Sequence, residues 1–257
     1  MVKTINYPLL SIITPVLNDL DGLIYCCDSI GVSEGEFEHI IVDGHSTDGS
    51  FEYAQKFSAR PFTRTIKQTS PSIYGAFNDG LYEAKGEHVI YLHCGDKLNL
   101  KLVMDLVRNF TDSDIIAASC SQKSGDDILN YYRSERDKIS VASMSILQPS
   151  LIVRRSKYYQ VGGFDNAFSI SADVDCILKI LKVSDKVSYV DDLIVNMEEF
   201  GISQKYYFKK LREHTIIKYR HGGLIQAFSY IPKRLALDYI VIPFWVIIKK
   251  VYIKLYR

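Results

Sequence analysis

Cysteine is scarce in this sequence and shows no recognisable spacing. The 257 residues contain five cysteines, an odd number, and no Cys-x-x-Cys pair occurs among them. This argues against a zinc site and against a disulfide framework, so we expect reduced thiols in a cytoplasmic setting. The N-terminal segment lacks the basic and then apolar pattern of a secretory leader, and we therefore expect none.

Several motifs that mark common nucleotide or hydrolytic sites are also missing. The sequence has no Gly-x-Gly-x-x-Gly, no Gly-x-x-x-x-Gly-Lys-[Ser/Thr] and no His-Glu-x-x-His. A Gly-x-Ser-x-Gly nucleophile elbow is absent as well. These absences remove the best support for a Rossmann dehydrogenase, a P-loop enzyme, a zinc protease or an α/β-hydrolase.

No apolar run is long enough to cross a bilayer. The longest, Tyr239 to Ile248, would extend roughly 15 Å as a helix, about half of the hydrocarbon core. Residues 201–257 hold 12 Lys or Arg and 2 Asp or Glu, a net charge of +10, whereas residues 1–200 carry −9. A basic, aromatic tail over 223–257 is typical of a segment that lies on an anionic membrane surface. The alternatives are a helix packed on the main domain or a dimer contact.

Nucleic acid is not an expected partner, because no recognition module accompanies the basic tail. The peripheral membrane interpretation places the protein at the inner face of the cell membrane. It also predicts a boundary that separates a domain at 1–222 from the tail at 223–257.

The first hundred residues alternate between strand-like and helix-like segments. Short β-branched runs occur at 9–16, 39–42, 63–68 and 87–93, and segments suited to helices follow the first three. Such alternation predicts an α/β fold, with a largely parallel central sheet of βαβ units flanked by helices. Residues 121–140 are polar and mixed, and we interpret them as loops with short strands.

Polar side chains follow three of these strands, at the edge where ligands bind in open α/β sheets. Asn18, Asp43 and Asp96 each come just after a strand. Each could be a turn former or a helix cap, but three at successive strand ends favour a site. A carboxylate such as Asp96 suits a divalent cation, which often takes only one or two protein carboxylates.

A pair of aspartates lies at the start of a later predicted helix. Asp173 and Asp175 stand two residues apart, so their side chains diverge. One could be a general base for a hydroxyl group, or both could cap the helix. Position in the sequence does not separate these interpretations.

Several segments, in order, resemble family 2 glycosyltransferases. Ser11-Ile-Ile-Thr-Pro-Val-Leu-Asn18 and His39-Ile-Ile-Val-Asp-Gly-His-Ser-Thr-Asp-Gly-Ser50 resemble the opening of that family. Residues 93–96 resemble its metal motif, and further segments of the family are matched by residues 73–80, 162–165, 171–175 and 200–203. The match runs over residues 9–203.

The resemblance implies a GT-A fold, a nucleotide-sugar donor, Mn²⁺ or Mg²⁺ as cofactor, and transfer with inversion. It implies that Asp173 is the catalytic base and that Asp96 binds the metal. The residues implied to bind the nucleotide sugar are Thr14, Pro15, Val16, Asn18, Asp43, Tyr74, Asn78, Cys94 and Gly95. Those implied for the sugar and acceptor side are Gln148, Gly162, Gly163, Phe164 and Asp175.

The expected function is sugar transfer, with UDP as the expected nucleotide, to a lipid-diphosphate-linked glycan in O-antigen, capsule or exopolysaccharide assembly. This chain departs from the family pattern at Leu17, where an aromatic residue is common, and at His93 and Cys94 beside Asp96. The metal motif therefore holds one carboxylate rather than two. Two alternatives stay open: a degenerate nucleotide-sugar-binding protein, and a nucleotidyltransferase on a similar sheet.

Overall fold

The computed structural model describes residues 8–31, 36–124, 127–133, 147–198 and 206–236. The chain divides into two compact units, residues 1–205 and residues 206–257. Each unit is described by itself below.

The first part of the larger unit is a regular α/β arrangement. Its elements, in chain order, are β1 (Leu10–Val16), α1 (Leu20–Ile30), β2 (Phe37–Asp43), α2 (Ser50–Phe57), β3 (Thr63–Lys67), α3 (Ile73–Glu83) and β4 (His88–Tyr91). The four strands are parallel and lie in the order β3-β2-β1-β4. Burial on both faces explains the β-branched runs of β1 and β2, and the predicted alternation and the α/β class are confirmed.

The second part adds antiparallel strands to the same sheet. Its elements are β5 (Lys97–Leu98), α4 (Leu100–Asn109), β6 (Ile115–Ser124), β7 (Asp127–Tyr132), a 3₁₀ turn (Gln148–Ser150), β8 (Leu151–Arg154), α5 (Arg155–Val161), α6 (Ala172–Val183) and β9 (Val187–Glu198). Strand β8 runs antiparallel to β4 and β6, whereas β6 and β9 are parallel. Part of the region interpreted as loops with short strands is thus a β6–β7 hairpin.

An aromatic cluster covers the face of the sheet where α3, β4 and α5 meet. Tyr74, Phe77, Tyr91, Tyr158 and Phe164 form this cluster, and each packs against at least one other member with ring centroids 4.5–5.8 Å apart. All five are nearly inaccessible to solvent. Edge-to-face and offset packing of this kind orients rings more strictly than aliphatic packing does. The cluster therefore gives the segments around it a defined geometry.

A buried carboxylate ties together the opposite end of the parallel strands. Glu38 on β2 accepts hydrogen bonds from the Ser11 hydroxyl of β1 (2.6 Å), from the Arg64 guanidinium of β3 (2.7 Å) and from the Gly86 amide before β4 (3.1 Å). A charge this deeply buried is tolerated because it is paired and fully hydrogen-bonded. Four neighbouring chain segments are thus held in register at the end of the sheet away from the predicted site.

The described residues of the smaller unit form a helical segment, α7 (Tyr207–Ala236), which is interrupted at Gly223. Gly223 has φ +78°, a conformation that glycine adopts without strain. His214 Nδ1 lies 2.9 Å from the Tyr230 hydroxyl, although sixteen residues of continuous helix would span about 24 Å. The segment therefore folds back on itself at Gly223 as a helical hairpin.

Three large apolar side chains are exposed just after this turn. Leu224, Ile225 and Phe228 are 59%, 85% and 74% exposed. Among the described residues, no helix combines the length and the apolar character that a membrane crossing requires. The Tyr239–Ile248 run lies outside the described residues, so the prediction made for it remains a prediction.

The buried histidine of β2 should make the stability of the larger unit depend on pH. Burial lowers the pKa of His39 to about 3, and its Nε2 lies 2.9 Å from the Thr14 hydroxyl. Below the ordinary pKa of about 6.5 the unfolded chain binds a proton that the folded chain excludes. We therefore expect His39 to destabilise the fold increasingly as pH falls from 6.5 towards 3.

Urea unfolding of the wild type and of His39→Gln at a series of pH values tests this expectation. The variant should lose less unfolding free energy than the wild type between pH 6.5 and 4.5, by up to about 2 kcal/mol. The same pH dependence in both proteins would contradict it.

Candidate active site

The loops after β1 and β2 are joined to each other by hydrogen bonds. The Asn18 backbone N–H donates to the Ser46 hydroxyl (3.0 Å), and the side-chain Oδ1 of Asn18 accepts from the Thr47 backbone N–H (2.8 Å). Asn18 adopts φ +51°, which asparagine tolerates better than most residues. This geometry holds two of the predicted donor-side loops in a single arrangement at the carboxyl ends of the strands.

Asp43 organises the second of these loops from below. It is fully buried, and its Oδ2 accepts hydrogen bonds from the N–H groups of His45 (2.9 Å) and Ser46 (3.2 Å). The carboxylate thus pins the start of the loop as an Asx turn. Leu17, at the end of β1, is 61% exposed beside this arrangement.

The predicted donor residues inside β1 form the floor beneath the loops. The Thr14 side chain is fully buried against His39, and Val16 belongs to an apolar cluster with residues of α1 and α2. The Pro15 carbonyl accepts a hydrogen bond from the Cys94 thiol at 3.4 Å. The polar side-chain atoms of Thr14 and Cys94 therefore already have hydrogen-bond partners within the protein.

Asp96 lies at the end of the turn that follows β4. The turn is closed by the Asp96 N–H donating to the His93 carbonyl (3.1 Å), and Gly95 adopts φ +84°. Asp96 is 7% exposed, and burial raises the pKa of its carboxyl to about 6, with a further rise from the nearby Glu198. This acidic side chain is out of water and forms no ion pair with a described residue.

Glu198, the last residue of β9, is a neighbour that the sequence analysis missed. Its backbone N–H donates to Asp96 Oδ1 at 3.3 Å. The two residues are 102 positions apart, so no local motif could have connected them. Within the described ranges, three or more His, Cys, Asp or Glu side chains nowhere gather in a way that could hold a metal ion.

The two aspartates at the start of α6 have different surroundings. Tyr74 of α3 donates its hydroxyl hydrogen to Asp173 Oδ1 at 2.9 Å. Asp175 is fully buried and forms an ion pair with Lys179 at 2.7 Å. Burial raises the pKa of Asp173, and the bond from Tyr74 opposes that rise. The placement favours Asp173 over Asp175 as a base that is open to a substrate.

His93 and Gln148 lie between the two acidic positions. His93 Nε2 is 3.4 Å from Gln148 Oε1, and the His93 ring packs edge-on against Phe77. The imidazole lies close enough to both Asp96 and Asp173 to favour their charged forms. His93 and Gln148 thus connect the predicted metal side with the predicted base.

Asn78 of α3 holds the glycine turn that precedes α6. Its Nδ2 donates to the Phe164 carbonyl, and its Oδ1 accepts from the Phe164 N–H, both at 2.9 Å. Gly162 and Gly163 adopt φ +81° and +69°, and a Cβ on Gly163 would lie 2.6 Å from Asn78 Oδ1. The turn therefore requires glycine at 163, and Asn78 serves to position it.

Comparison with known proteins identifies what this arrangement resembles. Residues 11–178 match the sequence model described as "Glycosyl transferase family 2". A "PGL/p-HBAD biosynthesis glycosyltransferase" of Mycobacterium bovis is 26% identical over 224 residues, which cover 81% of this chain and 86% of that protein. A "Cholesterol galactosyltransferase" of Borreliella burgdorferi is 30% identical over 104 residues, which cover 40% of this chain and 28% of that protein.

Solved structures share the fold at low sequence identity. S. aureus TarS 1-349 in complex with UDP-GlcNAc superposes with a TM-score of 0.67 and 16% identity, covering 83% of this chain and 67% of that chain. The mannosyltransferase PcManGT from Pyrobaculum calidifontis, in complex with GDP-Man and Mn²⁺, gives a TM-score of 0.63 and 17% identity, covering 98% and 81%. These likenesses establish the architecture.

The Tyr74–Asp173 hydrogen bond generates a prediction about the acidity of Asp173. A hydroxyl that donates to a carboxylate stabilises its charged form, so Tyr74→Phe should raise the pKa of Asp173 further. Carbon-13 NMR titration of the aspartate carboxyl signals measures this directly. Tyr159→Phe is the control, because the Tyr159 hydroxyl donates to the Leu81 carbonyl instead. An unchanged Asp173 titration in Tyr74→Phe would contradict the prediction.

Proposed function

The chain belongs to glycosyl transferase family 2 and is a glycosyltransferase with a GT-A fold, and from this premise we propose its reaction. It transfers a sugar from a UDP-sugar to a glycan carried on a lipid diphosphate, with inversion at the anomeric carbon. The observation that carries the proposal is the position of Asp173 in the first turn of α6, where Tyr74 donates a hydrogen bond to it.

The donor is proposed to occupy the carboxyl ends of β1, β2 and β4. Asp43 and Asn18 hold the loops that would meet the nucleoside, and Pro15 and Gly95 are proposed to line the same surface. The choice of UDP is supported by the TarS complex with UDP-GlcNAc, whereas the PcManGT complex holds GDP-Man. Thr14, Val16, Asn78 and Cys94 act by supporting this surface, since each has its contacts within the protein.

The cofactor is proposed to be Mn²⁺ or Mg²⁺, held by Asp96. A carboxylate that is buried at a strand end and forms no ion pair with a described residue fits a hard cation, which would offset the cost of removing its charge from water. When bound, the cation stabilises the negative charge that develops on the departing diphosphate.

Asp173 is proposed to accept the proton of the acceptor hydroxyl. Burial raises its pKa, which strengthens it as a base, and the bond from Tyr74 fixes the orientation of its carboxylate. Gln148 and the turn at Gly162, Gly163 and Phe164 shape the acceptor side. Attack by the hydroxyl on the face opposite the diphosphate inverts the anomeric carbon, so no protein nucleophile is required.

The proposal is tested by a panel of nucleotide sugars. Nucleotide release is measured with Mn²⁺, in the presence of lipid-diphosphate acceptors, and the anomeric configuration of the product is read by NMR. Asp173→Asn should lower kcat by at least about a hundredfold and leave donor affinity unchanged, because a general base contributes about 10²–10⁴-fold.

Asp175→Asn is the matched control, because it removes the same charge from the same helix turn. This variant should be less stable, because it loses the ion pair with Lys179. Its kcat per folded molecule should stay near the wild-type value. If Asp175→Asn were the more damaging change to kcat, the assignment of the base would be reversed. Donor binding without turnover across the whole panel would instead favour a nucleotide-sugar-binding protein.

The acceptor is proposed to be presented at an anionic membrane surface, where the protein is held peripherally at the inner face. The net charge of +10 over residues 201–257 supports this, together with exposed Leu224, Ile225 and Phe228. Assembly of O-antigen, capsule or exopolysaccharide is the proposed setting. The name of one similar protein, "Cholesterol galactosyltransferase", refers to an apolar acceptor.

Vesicle sedimentation tests the membrane proposal. The full-length protein should bind anionic vesicles more strongly than neutral ones and be partly released above about 0.15 M salt. The double variant Ile225→Glu, Phe228→Glu should bind at least about tenfold more weakly, since each apolar side chain contributes roughly 1.5–3 kcal/mol on burial. Tyr82→Glu, at a 79% exposed position of α3, is the control. Equal binding by all three proteins would contradict the proposal.

A further inference from the structure

Two carboxylates approach each other where the two parts of the sheet meet. Asp96 follows β4, the last of the parallel strands of the first part, and Glu198 ends β9 in the second part. The Glu198 N–H donates to Asp96 Oδ1 at 3.3 Å, which fixes the end of β9 against the turn. The chain thus brings together two acidic residues from distant parts of the sequence.

The Glu198 side chain lies over the turn itself. A Cβ built on Gly95 would lie 2.7 Å from Glu198 Oε2 and 3.1 Å from its carboxyl carbon. In this arrangement the carboxylate occupies the space that a side chain at position 95 would need. The Glu198 carboxylate is therefore directed at the residue next to Asp96.

Neither carboxylate forms an ion pair within the described part of the protein, although the His93 imidazole lies near Asp96. The ion pairs found among the described residues include neither Asp96 nor Glu198, whereas Asp114 and Asp175 each have a lysine partner. Asp96 is more than nine-tenths buried, and its Oδ2 forms no hydrogen bond with a described residue. The Asp96 carboxylate is therefore costly to keep charged out of water, and a cation shared with the more exposed Glu198 would offset that cost.

We propose that Glu198 is a direct ligand of the divalent cation that Asp96 holds, so that the cation is bound between β4 and β9. This inference rests on the proposed function, which supplies the cation and the diphosphate. Mn²⁺ and Mg²⁺ take one or two carboxylates and complete their coordination with phosphate oxygens and water. Glu198 would replace the second acid that the turn lacks, since Cys94 donates its thiol hydrogen to the Pro15 carbonyl.

The test is a Mn²⁺ titration of the full-length protein, with and without UDP, followed by electron paramagnetic resonance of the free ion. Glu198→Gln should weaken Mn²⁺ binding by at least about tenfold, since even the partners of metal ligands contribute 10–100-fold. Asp192→Asn is the control, because it removes one negative charge from the same strand at a position away from the proposed site. This variant should bind Mn²⁺ as the wild type does.

Glu198→Asp separates coordination from charge. It keeps the carboxylate but shortens its reach by one methylene, so a ligand role predicts weaker Mn²⁺ binding for this variant too. Wild-type Mn²⁺ affinity in Glu198→Asp, or in Glu198→Gln, would overturn the inference.

UDP affinity, measured by calorimetry, distinguishes this failure from failure of the proposed function. If the wild type binds UDP and Mn²⁺ and Glu198→Gln binds both equally well, the ligand assignment is wrong and the proposed function stands. If the wild type binds neither UDP nor Mn²⁺, the proposed function is wrong, and the inference that rests on it is wrong as well.

Discussion

The two hydrogen bonds between the Asn78 amide and the Phe164 backbone are the constraint on which the site depends. The Asn78 side chain pairs with a peptide unit as a strand would, and so locks α3 to the turn that leads into α6. Tyr74 stands one helical turn before Asn78, on the same face of α3. The clamp therefore sets where Tyr74 meets Asp173. A displacement of about 1 Å at such a position can cost a hundredfold in rate, although Asn78 lies apart from the proposed chemistry.

The polar residues at the strand ends divide into two groups by what satisfies them. Asp43 and Asn18 direct their oxygens to backbone N–H groups, and this fixes the shape of the loops before any ligand arrives. Asp96 has one long backbone hydrogen bond, and burial raises its pKa to about 6 although the nearby His93 opposes the rise. The first group contributes to stability, whereas Asp96 lowers it, because its charge has been removed from water without an ion pair. Residues whose placement lowers the stability of the fold in this way are typical of functional sites.

Local pattern was sufficient to predict the parallel part of the fold and insufficient for the rest. β1 and β2 are continuous β-branched runs, so burial on both faces can be inferred without knowing their neighbours. The pairing of β6 with β9 joins residues more than 70 positions apart, and it has no local signature. The same is true of Glu198, whose proposed role as a metal ligand depends on β9 ending against the turn at Asp96. Tyr74 was placed near the donor from a motif, but its hydroxyl meets Asp173 because α3 faces α6.

The distinction between Asp173 and Asp175 shows what a sequence pattern leaves undecided. Both are in the first turn of α6, where the helix dipole favours a carboxylate at either position. Two residues along a helix correspond to a rotation of about 200°, so the two side chains lie on nearly opposite faces. Asp175 faces Lys179 one turn on and is neutralised there. Asp173 faces Tyr74, a hydroxyl that orients the carboxylate without forming an ion pair with it. A carboxylate that is oriented but has no ion-pair partner can take up a proton, so helical periodicity supports the proposal that Asp173 is the base.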